Sequence, residues 1–152
     1  MRKKKIQIRK ETHVQLRWCS KEALDSFKSL DAASVNGNLN LSGCTGPTKL
    51  PDGLIVGGFL YLGNCTGLKK LPDGLMVNGD LNLYGCSELT KLPDGLRVIG
   101  DLDLCYCPGI KDLPADLIVD GVITYDSDTG FYGRVHVPGV IPKHLKNKLH
   151  KY

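Results

Sequence analysis

A Leu-Pro corner recurs at Leu50-Pro51, Leu71-Pro72, Leu92-Pro93 and Leu113-Pro114, a constant step of 21 residues, and each corner opens a segment that repeats one pattern. This period constrains the fold more than any other feature of the chain. A single segment has too little apolar surface to fold alone, so neighbouring coils must stack and share one core. In Leu54-x-Val56-x-Gly58-x-Leu60-x-Leu62 every second residue is small or apolar, the spacing that places them on the inward side of a strand. Pro51 restricts φ and Asp52-Gly53 supplies turn chemistry, so each corner reverses the chain before its strand. The glycine column at 37, 58, 79, 100 and 121 implies a bend or a close backbone approach in every coil.

Val35 to Cys44 matches the strand half of a first coil, and Leu113 opens a fifth that runs to Tyr125. The expected organisation is a single domain over 1–152: an N-terminal cap (1–34), the repeats (35–125) and a C-terminal cap (126–152). Ile6/Ile8 and Val14/Leu16/Trp18 alternate around a polar stretch, as in a β-hairpin, and Ser20 can cap a helix through Leu30. Phe131 to Val137 reads as a return strand, and Lys143 to Lys151 as a short basic helix whose Leu145 and Leu149 pack back on the coils. The fold class is therefore mainly β, a solenoid of about five 21-residue coils with a hairpin-helix cap before it and a strand-helix cap after it.

Leu60-x-Leu62-x-x-Cys65 and Leu81-x-Leu83-x-x-Cys86, each followed by Leu-x-x-Leu-Pro, resemble the leucine-rich repeat family, in the short type found in bacterial and phage proteins. The resemblance spans about residues 35 to 125. It implies a stack of parallel strands that offers a binding surface. Here the usual leucine two residues after the cysteine is Gly67, Glu88 or Gly109, and Val56 stands one position before the usual first leucine. Coils of 21 residues leave little room for convex helices, so a thin β-solenoid is expected, its back extended or in short 3₁₀ segments.

Chemistry finds little support. Cys44, Cys65, Cys86 and Cys107 recur once per coil at a core position, where cysteine acts as a small hydrophobe, while Cys105 falls on an outward position. Zinc sites gather their ligands from short loops instead, so no metal and no cofactor is expected. Nothing brings a histidine, an orienting carboxylate and an oxyanion donor to Cys19 or Cys105, and no enzyme is expected. Free thiols, together with the absence of a secretory leader and of a membrane span, suggest a reducing, cytoplasmic setting.

Function is expected on the outward columns. Phe59, Asp80 and Asp101 share one, Tyr61, Asn82 and Asp103 the next, with Ile55, Met76 and Arg97 on one flank and Tyr84 on the other. Aromatic, methionine and arginine side chains beside carboxylates suit a protein interface, so these ten residues are the candidate partner-binding set for an adaptor or inhibitor. An alternative lies in the ends. Residues 1–28 hold nine Lys/Arg against three acids, 29–132 six against thirteen, and 133–152 five against none. Arg2, Lys3, Lys4, Lys5, Arg9 and Lys10 with Lys143, Lys146, Lys148 and Lys151 would suit a nucleic acid or ribonucleoprotein, or a phage-encoded inhibitor of a host complex of that kind. A third expectation is edge-to-edge self-association.

Overall fold

The computed structural model describes residues 13–15, 34–45, 49–126 and 132–136. Within them the chain is a parallel β-solenoid of about four turns, and no helix of any kind occurs among the described residues. Each coil contributes two short strands. The first set, β2 (Ser34–Val35), β4 (Ile55–Val56), β6 (Met76–Val77), β8 (Arg97–Val98) and β10 (Ile118–Val119), forms a five-stranded parallel sheet in that spatial order. The second set is β3 (Asn38–Asn40), β5 (Leu60–Tyr61), β7 (Leu81–Asn82), β9 (Leu102–Leu104) and β11 (Val122–Asp126). These five stack in parallel between β1 (His13–Gln15) and β12 (Tyr132–His136) as a seven-stranded sheet.

The register is one coil per rung: Leu39 pairs with Leu60, Leu60 with Leu81, Leu81 with Leu102, and Leu102 with Ile123. Side chains of one type therefore stack in columns. Val35, Val56, Val77, Val98 and Val119 form one buried column, and Leu41, Leu62, Leu83 and Leu104 another. Leu54, Leu75, Leu96 and Leu117 and the cysteines at 44, 65, 86 and 107 complete a continuous interior. No coil owns its core, which is why stacking is obligatory.

Two expectations need correction. The run from Leu54 to Leu62 is not one strand. It breaks at a bend over Gly57-Gly58 and feeds two different sheets, as the equivalent runs do in the other coils. Five strand pairs bound about four complete turns rather than five full coils; the back of each coil, expected to be extended or in short 3₁₀ segments, is turns and extended chain, with no 3₁₀ helix among the described residues. The glycines at this bend bear out the expected bend and close backbone approach. A Cβ on Gly100 would lie 2.7 Å from the carbonyl carbon of Gly79 and 2.8 Å from the amide nitrogen of Asp80, both one coil earlier.

β12 runs antiparallel to β11, with Thr124 opposite Arg134, as the return strand expected over 131–137 would. β1 runs parallel to β3, so the solenoid sheet carries an extra strand at each end. The remainder of the expected hairpin and both cap helices fall outside the described residues.

Candidate functional site

The bend at Gly57-Gly58 divides the ten candidate residues between two surfaces. Ile55, Met76 and Arg97 stand exposed in register on the five-stranded sheet. Phe59, Tyr61, Asp80, Asn82, Asp101 and Asp103 belong to the seven-stranded sheet, and Tyr84 to the turn after it. The structure thus brings seven of them together on one face and sets three apart. Arg2, Lys3, Lys4, Lys5, Arg9, Lys10, Lys143, Lys146, Lys148 and Lys151 fall outside the described residues.

Two hydrogen-bond ladders explain most of the polar members of this face. In the first, a side-chain oxygen accepts a backbone N–H from the next coil: Asn38 Oδ1 from Phe59 at 2.8 Å, Asp80 Oδ1 from Asp101 at 2.9 Å, and Asp101 Oδ1 from Val122 at 2.7 Å. In the second, the oxygen accepts from two residues ahead and closes the turn: Asn40 from Ser42 at 3.0 Å, Asn82 from Tyr84 at 3.1 Å, and Asp103 from Cys105 at 3.0 Å. Asn and Asp at these positions are scaffold. Each bond contributes on the order of 1 kcal/mol and satisfies an amide the parallel ladder leaves over.

One coil breaks both ladders. Phe59 occupies the position of Asn38, Asp80 and Asp101, and Tyr61 that of Asn40, Asn82 and Asp103, and neither ring can accept the amide its neighbours would take. Phe59 remains 37% exposed, and the two rings lie tilted against each other with centroids 5.9 Å apart. The scaffold would be better served by Asn at both positions.

The charge of the face is also more than the scaffold uses. Asn38 makes the same bond as Asp80 and Asp101, at 2.8 Å. A charged acceptor adds roughly 1 kcal/mol over a neutral one, while carboxylates on adjacent rungs about 5 Å apart repel each other by about 1 kcal/mol even in water-like surroundings. The two effects cancel. The columns of this face carry no Lys or Arg from Asn38 to Thr124, Arg134 being on the outermost strand.

A second aromatic pair, Tyr84 and Tyr106, meets edge to face at a centroid separation of 5.0 Å beside the end of this face. Tyr106, at 49% exposure, and Ile99 are exposed apolar residues that the sequence reading passed over. The signal was present in the columns. Tyr106 aligns with Gly43, Asn64 and Gly85, all at positive φ, and itself adopts φ 56°. Glycine and asparagine tolerate this conformation, whereas a bulky aromatic residue there is rare and strained.

The cysteines are structural. Cys65, Cys86 and Cys107 donate their thiol protons to the carbonyls of Leu41, Leu62 and Leu83 at 3.1, 3.1 and 3.0 Å. Burial pushes the Cys65 thiol above its ordinary range, and burial first, with the neighbouring thiols of Cys107 and Cys65 adding to it, pushes Cys86 up to about 12. Protonated thiols are poor nucleophiles and poor ligands. Cys105, expected to face outward, is buried, because the chain has already left the strand at Leu104 and turns through Tyr106. Cys65, Cys86, Cys105 and Cys107 are free, but Cys44 is disulfide-bonded, so cysteine usage does not mark a reducing setting. Among the described residues no group of three or more His, Cys, Asp or Glu is arranged to hold a metal ion, and no helix is long and apolar enough to cross a membrane.

Against known proteins, the chain matches no protein-family model, no curated protein and no solved structure.

Proposed function

We propose that this chain is a non-enzymatic protein-binding module of the leucine-rich-repeat kind, which acts by occupancy, as an adaptor or inhibitor, through the outward face of the seven-stranded sheet. One observation carries this reading. Phe59 and Tyr61 take, in the same coil, the two positions that neighbouring coils give to hydrogen-bond acceptors, and both scaffold bonds are given up for an accessible aromatic pair. Aromatic residues held on a rigid sheet lose little entropy on contact and are over-represented among the side chains that dominate protein interfaces. The acidic columns beside them disfavour phosphate, so a nucleic acid is the poorer occupant of this face.

The test is capture of a partner from cells that express the chain, comparing the wild type with the Phe59→Asn/Tyr61→Asn double variant. Both substitutions copy residues that serve the same positions in other coils and restore their hydrogen-bond acceptors, so the variant should be at least as stable as the wild type. Loss of capture supports the reading. Equal capture by the folded variant overturns it.

A further inference from the structure

We infer that the aromatic and carboxylate face of the seven-stranded sheet receives an extended basic peptide, whose Lys or Arg side chains meet Asp80, Asp101 and Asp103 beside the Phe59-Tyr61 and Tyr84-Tyr106 pairs. The inference rests on the proposed function and specifies the chemistry of the partner.

The charge of this face is its unexplained feature. Asn38, Asn40 and Asn82 perform the scaffold bonds of both ladders without charge, yet Asp80, Asp101 and Asp103 occupy three of the equivalent positions. Adjacent carboxylates with no Lys or Arg in their columns between Asn38 and Thr124 gain nothing from one another. They gain from a cation supplied by a ligand. The aromatic rings add a second attraction of the same sign, because the face of a Phe or Tyr ring carries partial negative charge and draws guanidinium and ammonium groups.

Geometry supports an extended occupant. Asp101 and Asp103 lie two residues apart on one strand path, about 6.6 Å, which is also the spacing of alternate side chains in an extended peptide. Asp80 is one rung away from Asp101, about 4.8 Å. The carboxylates are preorganised. Oδ1 of Asp80 and of Asp101 is pinned by the amide of the next coil, and the other oxygen of each takes no hydrogen bond among the described residues. Little side-chain entropy remains to be lost when a cation arrives.

The experiment measures fluorescence anisotropy of labelled twelve-residue peptides, alternating Arg-Ser or Glu-Ser, against the full chain at low salt. The Arg-Ser peptide is expected to bind and the Glu-Ser peptide not. The Asp80→Asn/Asp101→Asn/Asp103→Asn variant keeps every Oδ1 acceptor and gives up only the long 3.5 Å bond that Asn82 Nδ2 donates to Asp103 Oδ2, so it should fold normally while its affinity falls by about tenfold or more. A control of equal charge change at the corners, Asp52→Asn/Asp73→Asn/Asp94→Asn, should lose less than about threefold. No binding by the wild type, unchanged affinity in the first variant, or equal losses in the two variants would each overturn the inference. Partner capture that is lost in Phe59→Asn/Tyr61→Asn, with no Arg-Ser binding, leaves the proposed function standing and removes only this peptide chemistry. Peptide binding with unchanged partner capture does the reverse.

Discussion

The carboxylate of Asp80 lies over Gly100 and accepts the backbone N–H of Asp101 at 2.9 Å, so a side chain of one coil clamps the backbone of the next. A Cβ at residue 100 would collide with that carboxylate and with backbone 2.7–2.8 Å away, and backbone atoms shared by two stacked coils have nowhere to move. Gly100→Ala should therefore cost about 2–4 kcal/mol, part overpacking and part a lost hydrogen bond. Urea unfolding followed by circular dichroism reads the loss. A cost below about 1 kcal/mol would mean that the carboxylate swings aside freely and the clamp is not structural.

Tyr106→Asn should change stability by less than about 1 kcal/mol, although it deletes a large aromatic side chain. Relief of the left-handed conformation at φ 56° contributes about 1–2 kcal/mol. Loss of the edge-to-face contact with Tyr84 costs about 0.5–1.5 kcal/mol. The two nearly cancel, as expected of a residue kept for contact with something other than its own scaffold. Thermal melting tests this, and a destabilisation above about 2 kcal/mol would assign Tyr106 to the scaffold instead.

How much of this architecture the sequence reveals depends on whether a feature lives in the period or in the register. The columns of Val56, Leu62 and Cys65 are legible because alternation and the 21-residue step both point inward, and all three are buried. The corner at Gly57-Gly58 is legible only in part, because the glycine column marks a bend or a close approach without saying that the strand breaks there. Leu54, Val56, Leu60 and Leu62 all remain inward through it, so a straight strand and a bent one carry the same alternation. Asp80 and Asp101 read as interaction residues until the stacking of coils shows each bonded to a backbone amide 21 residues on. Cys105 reads as outward by parity, a rule that ends where the strand ends.

The thiol column makes stability fall at high pH. Cys86 ionises at about 12 when folded against an ordinary value of 9.0, so the folded chain holds the proton more tightly. Its contribution is fully present below pH 9 and is lost as pH rises from 9 toward 12, because the unfolded chain releases the proton first. Cys86→Ala should cost about 1–2 kcal/mol at pH 7 and then lose stability less steeply than the wild type between pH 9 and 11. Urea titrations across that range decide it, and parallel slopes would show that Cys86 does not set the alkaline limit.

Phe59→Asn should stabilise the protein. At Asp101 and Val122 the backbone N–H is met by a side-chain oxygen from the preceding coil, whereas the equivalent N–H of Asp80 lies in register with Phe59, which offers none. Asn at position 59 restores that rung, as Asn38 does for Phe59 itself at 2.8 Å, a gain of about 0.5–1.5 kcal/mol. Against it stands the contact with Tyr61, made between partly exposed rings with centroids 5.9 Å apart and worth about 0.5 kcal/mol at that separation. The hydrogen bond wins, and the midpoint of urea unfolding should rise. A variant that is more stable but captures no partner would show that Phe59 is held at this position against the interest of the fold, the signature of a binding residue. A clear loss of stability would return Phe59 to the scaffold and take with it the observation on which the proposed function rests.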